Sequence, residues 1–173
     1  MLRLMRTTIS MAAVSALSFG AGAALAAEPV SIAPITIGQE LADKADDIGD
    51  REFARLTEIL RGNLEQELAG HLGENGDVLH VTILDADPNR PTMQQMANLP
   101  GLSMESFSIG GASLEAELVS ASGDRLETYS YAWRSYSIND VVGYSTWTDA
   151  RRAFRRFASD VGDSVAARNA SGS

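Results

Sequence analysis

Apolar residues between positions 53 and 72 recur at steps of three and four, with charged residues between them. This spacing predicts an amphipathic helix. Asp50 is suited to cap its start, and Gly73 or Gly76 to close its end. Burial of large apolar side chains at about 1.5 to 3 kcal/mol each outweighs about 1 kcal/mol for each of the two internal glycines, Gly62 and Gly70. The apolar stripe comprises Phe53, Leu56, Leu60, Leu64, Leu68 and Leu72.

Residues 77–85 form a run rich in β-branched side chains that predicts a strand, with Leu79, Val81 and Ile83 on its inner face. His80 falls on the opposite face. Residues 86–105 follow with three prolines and three methionines but no clean period. We expect a long loop there, holding one short helical turn. Loops of this length in a compact domain are usually functional or disordered.

Two further strands are predicted at 106–120 and 125–137, joined by the turn signal Ser122-Gly123-Asp124. Alternation along both strands indicates a long antiparallel hairpin. The glycine pair at 110–111 suggests a bulge or a close approach of two backbones. In the second strand, one face carries the aromatic residues Tyr129, Tyr131 and Trp133.

A second amphipathic helix is predicted after Thr146 or Thr148, either of which is suited to cap it. Four arginines fall mostly on its polar side, and the chain end at 169–173 is expected to fray. The apolar stripe of this helix comprises Ala150, Ala153, Phe154, Phe157, Val161 and Val165, and the arginines are Arg151, Arg152, Arg155 and Arg156.

Taken together, these elements predict an α+β fold, in which an antiparallel sheet of about four strands carries two amphipathic helices on one face. Residues 27–49 are expected to be an extension with a short strand near Ile35 and a solvated acidic loop. The expected organisation is a signal peptide at 1–26, this extension at 27–49, one domain at 50–168 and a disordered tail at 169–173.

The first 26 residues have the pattern of a secretory signal peptide. Arg3 and Arg6 precede an uncharged stretch at 7–25, and small residues there predict cleavage between Ala26 and Ala27. A retained membrane anchor is the alternative. We disfavour it because the apolar part is rich in glycine and lacks a basic stop-transfer flank. The sequence therefore predicts a mature protein of the Gram-negative periplasm or the exterior, without an integral membrane segment.

Net charge and the absence of cysteine exclude several classes of ligand and of catalytic site. Loss of two arginines with the leader changes the formal charge from −9 to about −11, so we expect no attraction to nucleic acid or anionic lipid. The chain has no cysteine, which excludes disulfides, thiol catalysis, thiolate zinc sites and iron–sulfur clusters. Without a cysteine, the chain has no residue to which the lipid of a lipoprotein could be attached, so we expect a protein without a lipid anchor.

Part of the second half resembles a known family. The runs GGASLEAEL at 110–118, SGDRL at 122–126 and WTDA at 147–150, followed by Ala153-Phe154 and Phe157-Ala158, resemble an uncharacterised Gram-negative envelope lipoprotein family, domain of unknown function 3313. The resemblance covers residues 106–165. It implies an envelope domain without catalytic residues to carry over, and this chain departs from the family in lacking the lipid-bearing cysteine.

The sequence contains two candidate metal sites. Asp85, Asp87 and Asn89 imitate the first ligands of a calcium loop, but Arg90 stands where such a loop needs glycine and Met96 where it needs a carboxylate. The other candidate is a soft-metal site for cuprous ion, and it remains the alternative to a binding function. Methionines in a loop more often pack as flexible gap-fillers. The residues of the soft-metal candidate are His80, Met93, Met96 and Met104.

Catalysis is not expected. The chain has two histidines, His71 and His80, as candidate general bases, and neither Ser103 nor Ser145 has the glycine pair of a nucleophile elbow. A hydrolase centred on His80 and Asp85 is kept as a third, less favoured class. We also expect no cofactor, since no phosphate-binding glycine loop is present.

The aromatic ladder of Tyr129, Tyr131 and Trp133 has two interpretations. Core packing across strands is the simpler one. The functional one is a surface for a partner protein or glycan, because tyrosine and tryptophan anchor interfaces. The sequence thus predicts an exported, non-catalytic binding or accessory module whose envelope ligand it does not name.

Overall fold

The structure, a computed structural model, describes residues 28–171. The predicted signal peptide, its cleavage site between Ala26 and Ala27, and the last two residues lie outside this range. The strands are β1 (Val30–Ile32), β2 (Thr36–Ile37), β3 (Asp77–Asp87), β4 (Gly111–Val119) and β5 (Arg125–Arg134). The α-helices are α1 (Gln39–Ala42), α2 (Ala45–Ile48), α3 (Asp50–Glu67), α4 (Met93–Asn98) and α5 (Thr148–Ser171), and a 3₁₀ turn spans Ile138–Val141.

The five strands form one open sheet in the order β1-β3-β4-β5, with β2 also paired to β3. The β3–β4 and β4–β5 pairs are antiparallel, and β4–β5 is the predicted hairpin. β1 and β2 instead pair parallel to β3, because α3 returns the chain to the end of the sheet from which β1 starts. The predicted α+β class is confirmed, but the parallel pairing of β1 and β2 with β3 was not predicted.

Two long helices cover one face of this sheet, as predicted. Alternation in β3 and β4 sends apolar side chains to that face, where α3 and α5 pack against each other and against the sheet. The core side chains at the centre of these contacts are fully buried: Leu56, Leu60, Leu64, Leu79, Ile83, Leu114, Phe154 and Phe157. Neither long helix covers the opposite face of the sheet, which carries His80, Thr82, Glu115, Glu117, Thr128 and Ser130.

The first long helix is shorter than its apolar stripe suggests. α3 ends at Glu67, and Leu68 is its C-cap, so the predicted closure at Gly73 or Gly76 is wrong. Leu72 lies in the following turn with 41% of its surface exposed. The helix stops there because residues 72–77 must pass close to β1: a side chain at Gly76 would overlap the carbonyl oxygen of Pro29. Gly49, not Asp50, occupies the N-cap.

The extension at 27–49 is more ordered than predicted. Its acidic half forms α1 and α2, where we expected a solvated loop. Leu41 and Ile48 explain the difference, because both are fully buried in the main core and hold these short helices against the domain. The extension therefore belongs to the same folded unit as the rest of the described chain.

The segment after β3 contains the predicted short helix. Thr92 begins α4 with a capping box: its hydroxyl accepts from the Gln95 amide at 3.1 Å, and the Gln95 side chain accepts from the Thr92 amide at 3.1 Å. At Gly110 and Gly111 the register is regular, so of the two predicted alternatives the close approach is the one observed. A side chain at Gly111 would overlap the carbonyl oxygen of Trp133.

The second long helix continues further than predicted. α5 runs to Ser171, whereas the sequence analysis placed a disordered tail from Asn169 onward. The side chain of Asn169 lies 3.0 Å from Nδ1 of His71, and this contact fixes the last turn to the segment after α3. Within residues 28–171, none of the helices combines the length and apolar character required to cross a bilayer.

Candidate functional site

Trp133, Tyr131 and Tyr129 lie on the helix-covered face of β5 and pack against the margin of the core. Each is half-buried, because β5 is the last strand of the sheet and α5 covers this margin incompletely. Both interpretations of the aromatic ladder therefore hold in part. The rings contribute to packing, and each keeps an accessible side.

Tyr129 is the most firmly held of the three. Its hydroxyl donates to Glu127 Oε2 at 2.9 Å and lies 3.3 Å from Ser164 Oγ of α5, which itself donates to Glu127 at 2.7 Å. Burial of the phenol, with a smaller contribution from Glu127, raises the pKa of Tyr129 to about 12. This network makes Tyr129 part of the scaffold.

Trp133 belongs to a second cluster, around Arg152 of α5. The guanidinium carbon of Arg152 lies 5.9 Å from the Trp133 ring centre and 4.6 Å from that of Tyr144. Arg152 also donates to the Tyr144 hydroxyl at 2.5 Å and lies 3.6 Å from the buried carboxylate of Asp149. Two rings and one carboxylate thus hold the guanidinium in place, which reduces the entropy it would lose on binding a ligand.

Arg152 forms one wall of a depression of about 320 Å³, which we call the aromatic depression. Its most accessible member is Tyr136, whose side chain is 92% exposed. A large aromatic side chain held almost wholly in water is a characteristic feature of interface anchors. The depression is lined by Trp133, Ser135, Tyr136, Asp140, Tyr144 and Arg152.

A second depression, of about 410 Å³, lies on the other side of the β5 end; we call it the apolar depression. The extended segment before β4 forms one wall with Phe107 and Ile109, and Asp87 and Arg134 lie at its polar side. Arg134 directly follows Trp133 but points to the opposite face of the sheet, so the two depressions lie on opposite faces at the end of one strand. The remaining lining residues are Pro88, Pro91, Gln95, Leu102, Ser106 and Ser108.

The carboxylates of the calcium-loop candidate are paired with basic side chains. Asp85 accepts from Lys44 at 2.5 Å and from Arg134 at 3.2 Å, and Asp87 accepts from Lys44 at 2.9 Å and also pairs with Arg134. Burial lowers the pKa of Lys44, but its hydrogen bonds to the two carboxylates outweigh this, so the pKa is raised. Asn89 points elsewhere, toward α5.

A bulge in β3 makes this pairing possible. The register shifts between Ile83 and Asp85, so that Asp85 lies opposite Ser113 on the uncovered face of the sheet. Strict alternation would instead have directed the Asp85 carboxylate toward the apolar core. The sequence analysis did not predict this bulge.

The residues of the soft-metal candidate lie in different places. His80 lines a depression on the uncovered face of the sheet together with threonine, serine and glutamate side chains. Met93 lines another, beside the start of α3. Met96 lies on α4, and the backbone oxygen of Met104 accepts from Arg90 at 2.7 Å while its side chain is exposed. Neither of the two depressions contains both a candidate histidine and a candidate methionine.

Tyr136, Tyr144 and Arg152 were not predicted as a group. Tyr136 lies beyond the end of the predicted aromatic ladder, and Arg152 was identified only as one of four arginines on a helix face. The available signal was the density of aromatic residues at 129–147 beside an arginine-rich helix start. Strand periodicity could not find Tyr144, because that residue lies outside any strand.

The comparisons with known proteins assign no family. No family model matches the chain, so the resemblance to domain of unknown function 3313 stays a prediction. No curated protein matches it either.

Solved structures are similar at low identity. One, a lipoprotein candidate from Caulobacter crescentus CB15, is 16% identical with a TM-score of 0.39, and covers 67% of this chain and 84% of its own. A minor lipoprotein from Acinetobacter baumannii is 14% identical with a TM-score of 0.38, and the match covers 83% of this chain and 96% of that protein. A hypothetical protein from Chlamydia trachomatis is 14% identical with a TM-score of 0.41, and the match covers 81% of this chain and 98% of that protein. At TM-scores below 0.5, these similarities carry no argument about function.

Proposed function

We propose that this chain is exported and acts as a non-catalytic accessory domain of the bacterial envelope, binding a partner protein through the aromatic depression. The pattern of its first 26 residues supports export, and the resemblance of its second half to envelope lipoproteins supports the location. Its ligand-binding role rests on the arrangement of Trp133, Tyr136, Tyr144 and Arg152.

The observation that carries the proposal is the exposed, preorganised group of three rings and one guanidinium. Tryptophan, tyrosine and arginine are the residues that contribute most to binding energy in protein interfaces. Arg152 is already oriented by Trp133, Tyr144 and Asp149 before any ligand arrives. Tyr136 exposes nearly its whole surface, so binding would remove a large apolar area from water.

A protein ligand is favoured over a glycan because further apolar side chains are exposed at the same end of the sheet as the aromatic depression. The apolar depression exposes Phe107 and Ile109. Apolar residues clustered in this way, with charged side chains at the margin, are typical of protein interfaces.

Support for a non-catalytic role comes from the two histidines. His71 contacts Asn169 near the end of α5, and His80 lies on the uncovered face of the sheet. Neither lines either depression at the β5 end. Arg152 and Arg134 form ion pairs with carboxylates, an arrangement that favours a binding role over proton transfer.

The test is site-specific photo-crosslinking in envelope extracts. A photoreactive phenylalanine analogue at position 136 should give one discrete protein adduct, identified by mass spectrometry. The same analogue at Ser122, in the turn at the other end of β5, should not. With the identified protein purified, Arg152→Ala and Tyr136→Ala should each weaken binding about tenfold or more, whereas Arg55→Ala on α3 should leave it unchanged.

Two outcomes contradict the proposal. Equal adduct patterns from positions 136 and 122 would show that the aromatic depression has no dedicated ligand. Sedimentation with purified peptidoglycan that depends on Tyr136, without any protein adduct, would replace the protein by a glycan. Circular dichroism of each variant establishes that a loss of binding does not reflect unfolding.

A further inference from the structure

β5 is the terminal strand of the sheet, and within residues 28–171 no strand pairs with its outer edge. It is ten residues long and pairs regularly with β4 except near the hairpin turn, where the register shifts between Leu118 and Val119. Its packing partners are β4 on one side and α5 on the covered face. The outer edge therefore offers unpaired backbone donors and acceptors along most of the strand.

The central part of this edge lacks the usual protection against pairing. Natural edge strands carry charges, prolines or bulges that prevent another strand from adding to them. Residues 128–133 read Thr-Tyr-Ser-Tyr-Ala-Trp, with no charge, no proline and no glycine. Threonine, tyrosine and tryptophan also favour strands. Charged residues occur only toward the two ends, at Arg125, Glu127 and Arg134.

We propose that a second copy of this chain pairs with β5 through this edge, antiparallel, about a two-fold axis at Ser130. The two five-stranded sheets would become one continuous sheet with the helices of both copies on the same face. This register keeps residues 126–134 of both copies within paired strand. It places Tyr129 opposite Tyr131, Thr128 opposite Ala132 and Leu126 opposite Arg134 of the other copy.

The charges on the strand favour this register. Glu127 would face Trp133 of the other copy, and Arg134 would face Leu126, so no like charges are directly opposed. Pairs of aromatic side chains across antiparallel strands are stabilising, whereas directly opposed like charges are not. A two-fold axis also places the same edge on both copies, as closed dimers require.

The helix above β5 would lie next to its counterpart in the other copy. Arg152 lies beside Trp133 and Ser164 beside Tyr129, so α5 runs antiparallel to β5. Along this side of α5, the basic residues Arg152 and Arg156 come first and the acidic residues Asp160 and Asp163 follow.

These two contacts place the axis at Ser130 beside the acidic half of α5, so the strand edge, and not the helix charges, favours the dimer. Adjacent strands are about 4.8 Å apart, and α5 lies over both β4 and β5. The two helices would therefore be roughly 10 Å apart, which is contact distance for helix pairs. The pairing of β5 does not depend on the ligand of the aromatic depression.

Analytical ultracentrifugation of the purified protein over a range of concentrations tests the assembly. We expect a reversible dimer. Ser130→Lys places two lysines opposite each other at the axis and should raise the dimer dissociation constant about 100-fold or more. Thr128→Lys places a lysine opposite Ala132 and should raise it much less. An equimolar mixture of the Ser130→Lys and Ser130→Glu variants should restore dimers.

A cysteine at the axis tests the register. Directly opposed residues have Cβ atoms about 4.5 to 5.5 Å apart, close to the range that a disulfide spans. The chain has no cysteine of its own, so any disulfide formed by Ser130→Cys links two copies. Mild oxidation should trap Ser130→Cys as a covalent dimer, and should trap Ser122→Cys or Ala132→Cys far less. A protein that stays monomeric, or a Ser130→Cys variant that crosslinks no better than these controls, would overturn the proposal.

Discussion

Asn89 and Asp149 are 60 residues apart in sequence and are joined by two hydrogen bonds in the buried interior. The Asn89 amide donates to Asp149 Oδ2 at 2.7 Å, and its side-chain oxygen accepts from the Asp149 backbone N–H at 2.9 Å. Both residues are fully buried. The pair fastens the segment after β3 to the first turn of α5, and thereby positions the walls of both depressions.

Replacing Asn89 by Ala should lower the free energy of unfolding by about 2 to 4 kcal/mol. The substitution leaves the buried carboxylate and the first-turn amide of Asp149 without their partner, and each unsatisfied buried group costs about 1 to 3 kcal/mol. Urea denaturation measures the change. Asn98→Ala, which removes an exposed amide that bonds Asp46, is the control and should cost less than about 1 kcal/mol. Equal costs for the two variants would contradict this role.

Lys44 is the chain's single lysine and should show a raised pKa when its amine is followed by NMR. Since the folded value is raised, its ion pairs stabilise the fold fully below about pH 10.4, the pKa of an unfolded lysine. That contribution is lost as the pH rises through the folded value. Lys44→Met should cost about 1 to 3 kcal/mol at pH 7, and the difference from wild type should shrink at alkaline pH. A pH-independent difference would contradict this.

Tyr129 should ionise near pH 12, later than a free tyrosine, which ionises near 10. Its raised pKa means that the folded state holds the phenolic proton more tightly, so stability falls as the pH rises from about 10 toward the folded value. Ultraviolet absorbance during alkaline titration should lose its last step in Tyr129→Phe. The variant should also lose about 1 kcal/mol at neutral pH, because its bonds to Glu127 and Ser164 are gone.

Gly111 and Gly62 should respond oppositely to alanine. At Gly111 a Cβ would overlap the carbonyl oxygen of Trp133, so Gly111→Ala must displace β4 from β5 and should cost about 3 kcal/mol or more. At Gly62, in the interior of α3, a Cβ would meet no atom within 4 Å. Gly62→Ala should therefore stabilise by about 0.5 to 1 kcal/mol. Thermal unfolding of both variants provides the comparison.

Export predicts a processed product. Mass spectrometry of the protein from a periplasmic or culture fraction should find Ala27 as its first residue, and an intact Met1 there would contradict the signal peptide. Ala26→Phe should block processing, because signal peptidase requires a small residue immediately before the cut. Ala27→Ser is the control and should be processed normally.

The sequence by itself determined the type of the two long helices and of the three long strands. Leu56, Leu60 and Leu64 recur at helical spacing, and Leu79, Val81 and Ile83 alternate with polar neighbours, so the type of each element and its buried face follow from periodicity. The hairpin followed from its turn residues, and the two-layer arrangement from the need to bury every apolar face. These predictions succeeded because they depend on neighbours within a few positions.

Only the tertiary structure decided where elements end and which polar side chains meet. α3 ends at Glu67, and the segment after it passes the backbone of Pro29 so closely at Gly76 that no side chain fits there, although the two residues are 47 positions apart. The bulge at Leu84 directs Asp85 to Lys44 and Arg134. Arg152 reaches Trp133 only because α5 lies across β5. Such contacts join residues far apart along the chain, and local periodicity carries no information about which distant partner a polar side chain will find.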